Sequence, residues 1–235
     1  MIIPNCKFPE IGEYKIIGIN EKLVSLSEAG ILCDSQYYAN GIAGALKDCY
    51  ARETVVHKLL NAQDLMPDGL KFKVYDAYRP IEVQQRLWNY YRNCIKIKEP
   101  GLTDEELDRR TGFFVSKPSF DENHPSLHNT GGAVDLTIVT KDGYALNMGT
   151  LFDDFTDRAW TNHFEDNYEK AEHNTEVRDN RRLLYDVMTH VGFTNLPSEW
   201  WHYDYGTKFW AYFTGKRAIY KGILEHDLPG RFPLT

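Results

Sequence analysis

What the chain is short of narrows it first. Its 235 residues hold only four cysteines, Cys6, Cys33, Cys49 and Cys94, with no C-x-x-C pair. A disulfide framework needs a higher density, so isolated thiols in a reducing compartment are the expectation. No run of about 18 apolar residues occurs, which excludes a transmembrane helix. At the N-terminus, Lys7, Glu10, Glu13 and Lys15 interrupt the apolar stretch that a secretory signal requires. The expected address is cytoplasmic, with no membrane partner. A basic excess is missing as well. With 27 basic against 34 acidic side chains the formal net charge is −7, the wrong sign for a general nucleic-acid binder. Repeats, low-complexity tracts and Ser/Gly linkers are absent, as are the P-loop, G-x-S-x-G, H-E-x-x-H and dinucleotide motifs.

What remains is an ordinary globular composition, 42% hydrophobic, enough to build a core. The expectation is one domain over residues 1–235. A domain of this size buries roughly 70% of its unfolded surface, so no metal is needed merely to hold it together. Any metal site therefore calls for a functional reading.

Spacing of apolar residues predicts a helix over Gly41–Leu60, from Ile42, Leu46, Val55, Val56, Leu59 and Leu60. Lys71–Tyr78 alternates like a strand and stops at Arg79-Pro80, and Pro80 suits the start of a helix through IEVQQRLWNYYRN. Thr103 can cap a short helix, TDEELDRR. Gly132–Val139 reads as a strand ending at the turn Lys141-Asp142-Gly143, and Thr175–Val191 as a helix stopped by Gly192. Trp200–Tyr205 is aromatic and strand-like. Helices and strands without regular alternation predict an α+β fold, a largely antiparallel central sheet flanked by helices.

Three stretches carry chemistry. In Ser126-Leu-His128-Asn-Thr-Gly131-Gly-Ala133-Val-Asp135, a carboxylate sits inside an apolar strand, where it costs several kcal/mol unless paired or metal-bound. Two glycines between His128 and Asp135 let the chain bring both to one centre. The plain alternative is an Asp bonded to nearby amides and a surface His. In Pro197-Ser198-Glu199-Trp200-Trp201-His202, an acid and a histidine are flanked by indoles expected to shield a site. Two histidines and one carboxylate leave zinc an open fourth position, the arrangement of a catalytic site. A further acid beside that position can take a proton from water. In a regular strand Glu199 and His202 face opposite sides, so both reach one centre only if the chain bends near Ser198–Glu199. The alternative is an aromatic core strand with a satisfied histidine. Arg79, at a strand end after Asp76, can aim a permanent cation into a cleft or simply pair with Asp76.

In this order the stretches resemble the D-alanyl-D-alanine dipeptidases of the zinc D,D-peptidase superfamily, which also holds D,D-carboxypeptidases and the Hedgehog amino-terminal domain. S-x-H-x-x-G-x-A-x-D is met by Ser126, His128, Gly131, Ala133 and Asp135, E-x-W-H by Glu199, Trp201 and His202, and Y-R-P by Tyr78-Arg79-Pro80. Met148-Gly149-Thr150-Leu151-Phe152-Asp153 is similar to the M-G-[ST]-x-F-D stretch of the dipeptidase branch, and the resemblance runs over roughly residues 35–205. It implies one zinc ion on His128, Asp135 and His202, Glu199 as general base then acid, and Arg79 facing the tetrahedral oxyanion. It implies Ser126 and Asp153 lining the substrate pocket, the latter near the ammonium of a small dipeptide. The family's pocket tyrosine falls on Tyr37 or Tyr38. Lys117–Pro125 is long and unusual before the first motif, and the tail after Tyr205 matches no known stretch of the family. A D,D-carboxypeptidase acting on longer cell-wall peptides and a non-catalytic zinc-binding domain are the rival readings. His124 is four residues from His128, but Pro125 between them spoils a helical ligand pair, and His163 and His173, in a polar loop, read as solvated.

Overall fold

The structure, a computed structural model, describes residues 1–6, 14–165, 172–226, 228–231 and 233. In chain order its elements are β1 (Leu23–Ser25), β2 (Leu32–Cys33), α1 (Gln36–Ala39), β3 (Tyr50–Arg52), α2 (Glu53–Gln63), β4 (Leu70–Asp76), α3 (Ile81–Lys98) and α4 (Asp104–Thr111). They continue with a 3-10 turn His128–Thr130, then β5 (Ala133–Thr140), α5 (Glu172–His190), β6 (Thr194–Asn195), β7 (His202–Asp204) and α6 (Lys208–Thr214). Five strands form the main sheet in the order β2-β4-β5-β7-β6, and β1 pairs with β3 separately. Only β2–β4 is parallel; the other pairs of the main sheet are antiparallel, as expected for this α+β architecture.

Alternation along the central strand divides the sheet into two chemistries. Val134, Leu136 and Ile138 of β5 join Phe72 and Val74 of β4 in a core with α2 and α5, through Val55, Val56, Leu59, Leu184, Val187 and Met188. The intervening positions, Asp135 among them, face the other way. Direct opposition then sorts the neighbours. Phe72 pairs with Ile138 and Val74 with Leu136, but a register shift before Asp76 sets it opposite Asp135. This bulge turns Asp76 off the core face and onto that of Asp135. On the other side, Asp135 pairs with His202 and Ala133 with Asp204, while Val134 pairs with the core residue Tyr203. One row of polar side chains, Asp76–Asp135–His202, thus crosses three strands.

Several boundaries differ from expectation. The helix predicted over Gly41–Leu60 begins only at Glu53, because Gly41 and Gly44 turn the chain at φ 70° and 85° and Tyr50–Arg52 pairs with β1. Trp200 and Trp201 lie in a turn before β7, whose strand is only three residues. The Thr103 cap is present, its side chain accepting from the Glu106 amide, and Gly192 ends α5 at φ 93°. After α6 the tail runs back along Ile16 and places Tyr220 in the core. Gly222 then packs against the Glu122–Pro125 loop, so the unusual segment before the first motif and the tail meet each other. No helix among the described residues is long and apolar enough to cross a membrane.

Candidate metal centre and catalytic cleft

His128 enters the site from the short turn that ends at Gly131, whose φ of 71° reverses the chain into β5. Its Nε2 lies 3.1 Å from His202 Nδ1 and 3.3 Å from Asp135 Oδ2, and His202 Nδ1 lies 3.0 Å from Asp135 Oδ1. Among the described residues these three form a metal-capable group, all buried, with donor atoms within 4.8 Å of one another.

The far side of each ring fixes what the near side offers. His128 Nδ1 is 2.8 Å from the Ala77 carbonyl, which can only accept, so that nitrogen carries the hydrogen and Nε2 presents a lone pair. His202 Nε2 is 3.0 Å from the buried Asp204 carboxylate, which likewise leaves a lone pair on Nδ1. Two lone pairs 3.1 Å apart repel unless a proton or a cation lies between them. Without a cation, and against burial, Asp204 and Asp135 favour a proton on His202 well above the ordinary imidazole range, and a cation bound at Nδ1 would displace that proton. Burial would raise Asp135, yet His128 and His202 together keep it below the carboxylate range. Paired imidazoles and an anionic carboxylate aimed at one point, each ring backed by an acceptor, fit a divalent cation.

The bend that convergence of Glu199 and His202 requires is present. Leu196 O accepts from the Glu199 amide at 3.0 Å and Glu199 O from the His202 amide at 3.3 Å, a turn that brings both side chains to one side. Glu199 Oε2 stands 3.9 Å from His202 Nδ1, and its side chain keeps 23% of its surface. It borders the donor group without joining it. Desolvation pushes its carboxyl above the ordinary range, with His202 pulling the other way.

Arg79 does both things that the sequence left open. It pairs with Asp76, Nη2 at 2.8 Å and Nε at 2.9 Å, and also donates to Gln84 Oε1 at 2.9 Å and to the Tyr37 hydroxyl at 3.2 Å. It borders the same cleft, 3.7 Å from Asp135 Oδ2. Burial works against its charge, but Tyr37, Asp76, Asp135 and Asp153 hold it firmly.

The cleft encloses about 100 Å³ and is bordered by Ser126, His128, Asp135, Asp153, Glu199 and His202, together with Arg79 and Tyr37. Of the two tyrosines left open, Tyr37 borders the cleft, donating to Asp153 Oδ2 at 3.1 Å. Asp153 has φ 59°, unusual for a non-glycine residue, in a loop tied down by Trp200 Nε1 donating to Thr150 Oγ1 at 2.7 Å and Arg181 Nε donating to Met148 O at 2.8 Å. Burial, helped by Asp135 and opposed by Arg79, pushes Asp153 up to about 7.

One expectation is corrected. Trp200 and Trp201 do not shield the cleft; both belong to the core behind it, 2% and 1% exposed, Trp201 edge-on to Phe152 at 5.6 Å. The turn points them inward, and the apolar wall comes instead from Tyr91, Phe114 and Phe155: Phe155 meets the other two rings edge-on at 5.2 and 5.4 Å, and Tyr91 and Phe114 stack at 6.2 Å. His124 pairs with Asp121 at the surface, outside the donor group. His163 is half-buried against Phe164 rather than freely solvated, and the side chain of His173 lies outside the described residues. Asp204 and Gln84 were not foreseen from the sequence, and Asp76 was foreseen only as a partner of Arg79, not as a neighbour of His128 and Asp135. Asp204 had a signal, since a residue two positions after His202 in a strand lies on the same face.

Residues 27–214 match the Peptidase_M15 family, described as D-ala-D-ala dipeptidase. A D-alanyl-D-alanine dipeptidase of Synechocystis sp. is 30% identical over 165 residues, 65% of this chain and 66% of that protein. The chain thus spans just under two thirds of the length of that relative. One of Enterococcus faecalis is 35% identical over 174 residues, 71% of this chain and 75% of that protein. A solved VanY D,D-pentapeptidase from a VanB-type vancomycin-resistance cassette, in complex with Zn(II), covers 73% of this chain and 83% of its own at 19% identity and TM-score 0.44, too loose a likeness to bear on the chemistry. With four-fifths of its length inside the family match, the chain belongs to the Peptidase_M15 family of D-Ala-D-Ala dipeptidases.

Proposed function

We propose that the chain is a zinc-dependent dipeptidase that hydrolyses D-alanyl-D-alanine, or a close dipeptide, to free amino acids in the cytoplasm, with its whole length acting as one domain. The carrying observation is the convergence of two imidazole lone pairs and Asp135 on one point, with Glu199 one step back in the same cleft. Two histidines and one carboxylate suit zinc and leave it a coordination position for substrate or water. Zinc held there supplies a Lewis acid and an acidified water.

The chain's own residues do the rest. Glu199, its pKa raised toward the working range by desolvation, takes the proton of the attacking water and hands it to the departing amine. Arg79, fixed by Asp76 and Gln84, holds a permanent cation beside the carbonyl oxygen as its charge develops, without reorganising at that moment. Asp153, aligned by Tyr37, receives the substrate ammonium, and Ser126 borders the pocket. The presence of both Glu199 and Arg79 speaks against a merely zinc-binding domain.

A dipeptide carries its ammonium one residue from the scissile bond, so Asp153 rewards the free dipeptide and not a blocked or longer one. Leaving a desolvated carboxylate unpaired costs several kcal/mol, and each 1.4 kcal/mol is about tenfold in kcat/KM. Zinc-loaded protein should therefore cleave D-Ala-D-Ala at least about a hundredfold faster than N-acetyl-D-Ala-D-Ala or a pentapeptide ending in D-Ala-D-Ala. Comparable rates would replace the dipeptidase reading by the carboxypeptidase one. Bound zinc without cleavage of any of these would leave a binding domain.

A further inference from the structure

The segment after α6 lies beyond the family match, which ends at residue 214, yet it reaches the metal centre through one buried side chain. Asn129 follows His128 in the 3-10 turn and is 1% exposed. Its Oδ1 accepts from the Ile223 amide at 3.2 Å, and its Nδ2 donates to the Ile223 carbonyl at 2.9 Å and to the Arg79 carbonyl at 3.4 Å. Arg79 N in turn donates to His128 O at 3.2 Å. Main chain and one amide thus close a ring through Ile223, Asn129, His128 and Arg79.

The tail is fastened on both sides of that contact. Gly222 N donates to Glu122 O at 2.8 Å. Buried Arg52 donates to the Lys221 carbonyl at 3.4 Å while its Nε donates to Thr130 O at 2.8 Å and its amide to Gly131 O at 2.9 Å. Gly222 fills the gap closely, since a Cβ there would lie 2.8 Å from Asn129 Oδ1 and 2.9 Å from Pro125 Cβ. A three-residue 3-10 turn has little stiffness of its own, so the direction of His128 has to be held from outside.

We infer that Asn129, clamped by the main chain of Ile223, is a positioning residue that fixes His128 and Arg79 relative to each other, making residues 221–223 part of the active-site framework. The inference rests on the proposed roles of His128 and Arg79. Without the side-chain amide, the Ile223 and Arg79 carbonyls lose a donor, and the tail holds the turn only through the Ile223 amide donating to Asn129 O at 3.1 Å.

Asn129→Ala removes the side-chain bonds of the clamp and leaves only its main-chain one; Gly222→Ala pushes the tail off it by bulk alone. Val187→Ala, in α5 across the sheet, serves as a control that loses core packing away from the site. Each folded variant is loaded with Co(II) and compared with the parent by visible spectrum, Co(II) affinity, thermal unfolding, and kcat and KM on D-Ala-D-Ala. Loss of support behind a ligand weakens metal binding about ten- to a hundredfold, so both test variants should bind Co(II) that much more weakly with an altered spectrum. Their kcat should fall at least about tenfold with KM little changed, as for a misplaced catalytic group. Val187→Ala should lower the unfolding temperature and keep the parental spectrum and kcat.

A parental spectrum and affinity in either folded test variant overturns the inference. So does a Val187→Ala protein that shows the same spectral change at the same loss of stability, because the effect is then merely structural. Should one test variant fail to fold, the other with Asn129→Ser decides on the same readouts. A parent that binds Co(II) but cleaves no dipeptide defeats the proposed activity alone, since spectrum and affinity still judge the clamp.

Discussion

Glu199 and Asp135 are carboxylates in one cleft with different surroundings, and the proposed roles differ accordingly. Asp135 is 2% exposed and touches both imidazoles, whereas Glu199 touches the donor group from its solvent side. Glu199→Ala should keep one metal ion per chain and lose nearly all turnover; Asp135→Ala should lose metal affinity sharply. Metal analysis of both variants beside their rates checks the pair, and loss of metal from Glu199→Ala would make that residue a ligand. Asp153 makes a prediction of opposite sign to the usual carboxylate. Its folded pKa of about 7, lifted first by burial, exceeds its unfolded value of about 4. Folding therefore disfavours its charged form, at a cost that is absent below about pH 4, grows through pH 5–7 and is complete above. Asp153→Asn should gain stability over the parent as pH rises from 5 to 8, at constant metal loading, while losing activity on D-Ala-D-Ala. A gain that shrinks toward pH 8 would show Asp153 to be a stabilising partner of Arg79 instead.

Among the elements, local patterns were legible and long-range geometry was not. β4, β5, α3 and α4 followed from alternation, Pro80 and the Thr103 cap, because those signals act within a few residues. The bend before His202 was legible for another reason, since Glu199 and His202 could meet in no other way. Ile42 and Leu46 mimic helical spacing, but the pairing of Tyr50–Arg52 with β1 is non-local and left no trace in that window. The bulge that re-aims Asp76 has no compositional signature either. The loop 148–153 shows how an element can set the site. Gly149 has φ 83°, and a Cβ there would lie 2.8 Å from both the Phe164 ring and Val177 Cγ1. Gly149→Ala should cost about 2–4 kcal/mol, from left-handed backbone strain plus overpacking, read by denaturant unfolding. Because Asp153 ends the same loop, KM for D-Ala-D-Ala should rise more than kcat falls. Unchanged KM would separate the loop from substrate binding.

At the scale of the molecule, core and metal site occupy opposite faces of one sheet, so stability and chemistry separate. The apolar residues of α2, α5, β4 and β5 are buried together without any contribution from the metal-capable group. Length pointed the same way, because a chain of this size buries enough surface to fold unaided. The motifs made the site legible, whereas the tail that braces it left no recognisable pattern, its contacts with Asn129 running through main-chain atoms of Ile223. Removing the metal should then act by mass action alone. A metal at a hundred times its Kd adds about 2.7 kcal/mol to the folded state, and chelation withdraws that much and no more. The chelated protein should keep its far-ultraviolet circular dichroism, unfold cooperatively at a lower temperature, and recover the loss and its activity when zinc returns. Collapse of the dichroism on chelation would make the ion structural and join the two faces into one folding unit.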